Sequence, residues 1–161
     1  MNKIHLITWI AITFIVSAFK SDVGSSQYKC MIQLTNYSGE GAYIVVSVLN
    51  ANKEYVETLR VLGDDEEWYP DLPTWWSFFE KAGQENVDAI TGATIAGGER
   101  SIFILDIDDR YLDNGHFLRF ETSVEHQNYV ENDVLLPLKS SSISGKFEGS
   151  DYIRYVRLIP N

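Results

Sequence analysis

Ala42-Tyr43-Ile44-Val45-Val46-Ser47-Val48-Leu49 decides the fold. β-Branched and apolar residues dominate it and no charge interrupts it, the signature of a strand in the middle of a sheet. Asn50-Ala51-Asn52-Lys53 follows as a short turn. Residues 55–62 then alternate, with Val56, Thr58, Arg60 and Leu62 on one side and Tyr55, Glu57, Leu59 and Val61 on the other. The two runs predict an antiparallel hairpin. Upstream, residues 28–34 read as a first strand that carries Cys30, and residues 36–41 as a turn.

Further strands are expected downstream. Residues 101–106 form one, and Asp113-Asn114-Gly115 marks a turn after it. Residues 117–124 alternate Phe117, Arg119, Glu121 and Ser123 against Leu118, Phe120, Thr122 and Val124, which predicts a half-buried strand. Val134-Leu135-Leu136 ends at Pro137, a short strand is expected near 143–147, and residues 152–159 alternate to close the chain. His116 and His126 flank one strand and read as surface histidines. One helix is expected over residues 72–83, with Pro73 in its first turn and Gly83 at its end. Leu72, Trp75, Trp76, Phe79 and Ala82 share a face, with Phe78 at its edge, so the helix packs on a sheet or plugs its open end. Seven or eight short strands and one inserted amphipathic helix define an all-β antiparallel sandwich.

Composition narrows the setting. The 161 residues suit one domain over residues 23–161, preceded by a secretory signal over residues 1–22. Lys3 supplies its positive start, residues 4–19 its apolar run, and Val16-Ser17-Ala18 a small-residue cleavage site. The run is shorter than the ~20 residues that span a bilayer, and no cysteine follows closely enough for a lipid anchor. Removing residues 1–18 takes away Lys3 and no acid, so the net charge of −10 becomes −11. Such a surface excludes phosphate-backbone binding, so no nucleic-acid partner is expected, and it disfavours adsorption to anionic membranes. The acids at 64–67 are consecutive and do not offer the spaced oxygens of a calcium loop; Asp106, Asp108 and Asp113 fit no EF-hand either. Cys30 is the single cysteine, so no internal disulfide forms and a buried thiol is expected.

Asp88-Ala89-Ile90-Thr91-Gly92-Ala93-Thr94 is the stretch most suggestive of chemistry. Gly92 and Ala93 remove bulk between two hydroxyls, and Gly92 permits a backbone that other residues resist. A threonine hydroxyl needs a base or metal to become a nucleophile, and the nearest histidine along the chain is His116. Thr94 therefore reads as a group acted upon by another enzyme. The stretch resembles the flavinylation motif of bacterial extracytosolic redox proteins: Asp, two residues, Ser/Thr, Gly, Ala, Ser/Thr. The resemblance implies FMN joined by its phosphate to Thr94, with Asp88, Thr91, Gly92 and Ala93 recognised by a FAD:protein FMN transferase. Two features depart from the pattern: Ala96 stands where many such motifs have a further hydroxyl, and Gly97-Gly98 leads into a strand instead of a helix. Aromatics at the helix rim, Trp75 and Phe78, are the expected stacking partners for a flavin ring.

Most of the remaining chain resembles the domain-of-unknown-function 2271 family of predicted periplasmic proteins. Ala42-Tyr43-Ile44-Val45-Val46, Leu59-Arg60-Val61-Leu62-Gly63, Leu72-Pro73-Thr74-Trp75-Trp76 and residues 87–94 carry the resemblance. It implies an immunoglobulin-like sandwich in a periplasmic setting, beside flavin transferases and PepSY-type membrane redox proteins. The function expected is an exported electron carrier with covalent FMN; the alternative is a cofactor-free binding or scaffold module, which the same fold serves equally well. No Ser/His/Asp order, zinc spacing or phosphate loop supports a hydrolase.

Overall fold

The computed structural model describes residues 24–81 and 90–161. The expected signal segment and Asp88 lie outside these residues. Two sheets face each other. One has the order β4-β3-β2-β6-β7 and the other β5-β1-β9-β8. The strands are β1 (Ser25–Leu34), β2 (Tyr43–Leu49), β3 (Tyr55–Leu62), β4 (Thr91–Gly92), β5 (Arg100–Asp108), β6 (Phe117–Ser123), β7 (Tyr129–Pro137), β8 (Lys146–Glu148) and β9 (Ile153–Pro160). β2 and β6 are neighbours in one sheet and β1 and β5 in the other, and the chain crosses between sheets from β1 to β2 and from β5 to β6. That interlock is immunoglobulin-like. The place beside β1 that an N-terminal strand takes in an antibody domain is filled here by β9.

β2 is central, as its composition predicts, and buried along its whole length. Its even-numbered side chains Ile44, Val46 and Val48 meet Cys30, Ile32 and Leu34 of β1 and Leu118 and Phe120 of β6 between the sheets. Its odd-numbered Tyr43 and Val45 face away and are covered by Tyr69, Leu72, Trp75 and Phe79. Those residues belong to a 3-10 turn (Glu66–Asp71) and to α1 (Pro73–Lys81). The molecule thus has three layers: sheet, sheet and a helical cover. Pro73 is the first helical residue, where its missing N–H costs nothing. The expected helix end at Gly83 lies outside the described residues. Cys30 is fully buried, and desolvation pushes its thiol pKa well up, as expected of a small core residue.

Three expectations change. First, β6 is buried on both faces, not half-buried. Arg119, Glu121 and Ser123 alternate outward from the sandwich as the sequence indicates, but the helical cover lies over them. Arg119 pairs with the Glu121 carboxylate, which also accepts from the Trp75 N–H at 3.2 Å and the Tyr129 hydroxyl at 2.7 Å. Second, the sheet is not purely antiparallel. β4 runs parallel to β3, with Val61 opposite Thr91 and Leu62 opposite Gly92. The segment containing α1 is the crossover that parallel neighbours require. Third, Trp75 is not at the rim of its helix. It is fully buried, stacked on Phe79 at 4.9 Å and edge-on to Tyr69 at 5.1 Å, with its indole N–H donated to Thr58 Oγ1 at 2.8 Å.

Candidate functional site

The segment after the crossover begins at the outer edge of β3 and crosses the end of the five-stranded sheet. Its first anchor is β4, where the Gly63 N–H donates to the Gly92 carbonyl at 2.6 Å. Its second is the bridge between Ala42 and Ile95, with reciprocal bonds of 2.7 and 3.2 Å and a further bond of 2.9 Å from the Tyr37 hydroxyl to the Ile95 carbonyl. Ala93 is exposed between these anchors, and Thr91, Gly92 and Thr94 are half-buried. The chain then turns at Gly97-Gly98, with Gly98 at φ +80°, and enters β5, as the sequence predicts.

Gly92 has a different role from the one expected. Its φ is not in the left-handed region; what it provides is space. A Cβ there would stand 2.9 Å from Arg60 Nη2 and 3.4 Å from Leu62 Cδ2. Gly41 does the same for Thr94, because a Cβ at Gly41 would stand 2.6 Å from the Thr94 Cβ. Thr94 therefore lies flat against the backbone at the start of β2.

Arg60 was not singled out by the sequence. Its guanidinium lies over the Phe103 ring, 5.3 Å from the centroid, and its Nε is buried without a hydrogen-bond partner. None of the ion pairs among the described residues involves it. A guanidinium packed over Gly92, with no ion-pair partner among the described residues, fits an oxyanion such as a phosphate. The signal in the sequence was present but unmarked: Arg60 shares its strand face with Leu62, which points between the sheets.

The helix residues expected to stack on a flavin do not reach this place. Both faces of the Trp75 indole are used in the core. Phe78 stacks on Tyr55 at 4.9 Å and 8°, and Lys81 lies 6.0 Å from its ring centroid. Tyr55 starts β3 and Val61, beside Thr91, nearly ends it. At ~3.3 Å per residue, Phe78 sits roughly 20 Å from β4. The helix does touch the segment at Ile90, which packs against the cluster of Trp75 and Phe79, but through buried core faces that leave no ring free to stack.

A second feature lies on the helical side of the same sheet. A cleft of about 510 Å³ opens between the 3-10 turn and the β6–β7 connection, lined by Trp68, Asp71, Ser123, His126, Gln127 and Tyr129 with two prolines. His126 is exposed, as expected, but it is held at φ +60° with its ring edge-on to Trp68 at 5.4 Å. His116 is half-buried against Tyr111. Burial pushes the pKa of the Tyr129 hydroxyl upward, and that of its acceptor, the Glu121 carboxyl, upward as well. The acids at 64–67 are exposed, and Asp65 caps the 3-10 turn by accepting from the Glu67 N–H at 3.0 Å. Among the described residues no three His, Cys, Asp or Glu side chains converge to hold a metal, and no helix is long and apolar enough to cross a membrane.

No curated protein and no solved structure matches the chain. Residues 25–155 match the model of a family described as predicted periplasmic protein, DUF2271.

Proposed function

Because the chain belongs to the DUF2271 family of predicted periplasmic proteins, we propose that it is an exported redox carrier that holds FMN through a phosphoester at Thr94. The family description supports an extracytosolic location. The observation that carries the chemical part is the stretch from Asp88 to Thr94, with Ala93 exposed and Thr94 half-exposed between two backbone anchors. A FAD:protein FMN transferase would read this stretch as its substrate. The Thr94 oxygen forms a bond to the FMN phosphorus, the pyrophosphate bond of FAD breaks, AMP leaves, and the hydroxyl proton passes to a base of the transferase. Arg60 is the residue that would face the resulting phosphodiester, since its guanidinium packs over Gly92 and has no ion-pair partner among the described residues. The isoalloxazine supplies the electron chemistry, and the protein supplies attachment and electrostatics. A covalent tether keeps the flavin at high effective concentration outside the cytoplasm. Electrons would come from a membrane partner of the PepSY type.

The test is the intact mass of protein co-expressed in an exporting host with a flavin transferase and magnesium. A gain equal to FMN minus water, absent in Thr94→Ala, is expected. An unmodified mass, with the transferase active on a control substrate, sinks the proposal. The cleft at Trp68 and His126 favours a second reading, a cofactor-free binding module. In that reading Thr91 to Thr94 is only a sheet-end crossing, and ligands dock on the other side of the sheet.

A further inference from the structure

The outer face of the four-stranded sheet carries no helix or loop among the described residues, unlike the outer face of the other sheet. Three of the four exposed large hydrophobic residues lie on it: Ile102 at 53% exposure, Ile104 at 41% and Ile159 at 37%. The register brings them together. Lys29 of β1 lies between Ile104 and Ile159, and Met31 lies between Ile102 and Arg157. Lys146 of β8 continues the row beyond Arg157. An aliphatic centre is therefore interleaved with and flanked by cations, in a chain of net charge −10. Asp106, Asp108 and Glu148 are the acids of this face; Asp108 is paired with Arg110 at 2.8 Å. The other two are also engaged locally, Asp106 by Gln27 at 2.7 Å and Glu148 by Lys146 at 3.1 Å.

The acids at 64–67 and Asp71 belong to the helical cover on the opposite side. Two layer spacings of ~10 Å each separate that cover from this face. The gap of roughly 20 Å exceeds the ~8 Å Debye length at physiological salt, so the acidic side does not cancel the field of the basic one close up.

We propose that this sheet face docks on an anionic lipid surface, with Ile102, Ile104 and Ile159 toward the acyl boundary and Lys29 and Arg157 at the phosphates. Long cationic side chains lay their stems along apolar surface and keep their heads in the polar layer. The face lacks the Trp anchors of protein interfaces and carries lysines, which such interfaces disfavour. A second copy packed face to face would oppose Lys29 and Arg157 to their like. The net charge argues against such adsorption for an evenly charged particle, but Lys29 and Arg157 stand at the apolar centre of this face, and its acids lie toward the ends of β5 and β8, held by local partners.

The experiment is co-sedimentation of the purified protein with vesicles of equal parts phosphatidylglycerol and phosphatidylcholine, and with vesicles of phosphatidylcholine alone. Binding to the anionic vesicles only, weakening as salt rises, is expected. The double variants Ile102→Ser/Ile104→Ser and Lys29→Glu/Arg157→Glu should each lower the partition coefficient at least several-fold, with unchanged circular dichroism. The positions are exposed, so folding does not confound the comparison. No binding to anionic vesicles overturns the proposal, as does binding that both variants retain. Self-association that disappears in Ile102→Ser/Ile104→Ser, with no vesicle binding, also overturns it and makes the face a contact between copies.

Discussion

Arg60 and Asp133 show what single residues contribute and how little the sequence announces them. If Arg60 faces a phosphodiester at Thr94, Arg60→Gln removes the charge while keeping a hydrogen-bonding side chain. The flavin of that variant, once attached, should have a reduction potential shifted from wild type in a spectroelectrochemical titration; an identical potential would remove Arg60 from the site. Asp133 reads as one polar residue at the start of a strand. In the fold it is 2% exposed and accepts from the backbone N–H groups of Ser150, Asp151 and Ile153, and from the Thr122 hydroxyl, at 2.8 to 2.9 Å. It ties the turn before β9 to β7. Asp133→Ala leaves these donors unsatisfied and should cost about 3 kcal/mol in urea unfolding. Glu121 sets a pH dependence. Burial raises its pKa above the ordinary 4.5, against the pull of Arg119. The folded state then holds this proton more tightly than the unfolded state. The corresponding stability is fully present below the ordinary value and lost as pH rises through the raised one. The stability difference between wild type and Glu121→Gln should fall across that window, and a flat difference would show that Glu121 titrates as in the unfolded chain.

At the scale of elements, α1 was legible because its aromatic spacing follows a helical period, and β2 because both its faces are apolar. The burial of β6 was not legible. Arg119, Glu121 and Ser123 alternate as a solvated face would, and only the cover arriving from residues 66–81 hides them. β4 was hidden for a related reason: two residues are too few for a pattern, and their pairing exists only because the chain returns to the edge of β3. Trp75 anchors the cover. Trp75→Ala should destabilise by about 3–5 kcal/mol, measured by chemical denaturation, and should loosen the ordered environment of Tyr69. β4 should be the weak point of its sheet. The Gly63 amide, bonded only to Gly92 across a two-residue strand, should exchange hydrogen much faster than the amides of β2. Equal protection would mean that the crossing segment opens only with the whole sheet. Under the proposed function, fast exchange there would give a transferase a locally opened strand to grasp.

For the molecule as a whole, the sandwich class followed from counting alternating runs and turns, and the family from four stretches spread over the chain. The three-layer arrangement and the placement of charge did not follow, because both depend on which sheet each strand joins. Ile102, Ile104 and Ile159 look like ordinary strand residues until the register sets β5 and β9 on either side of β1. The same register bears on how the protein is made. Tyr28 pairs with Pro160, so the first strand waits for the last one to leave the ribosome before its sheet can close. Until then β1 lacks the neighbour that fills its inner edge. Closure of this sheet is therefore a late event in the life of the chain, its timing written into strand order.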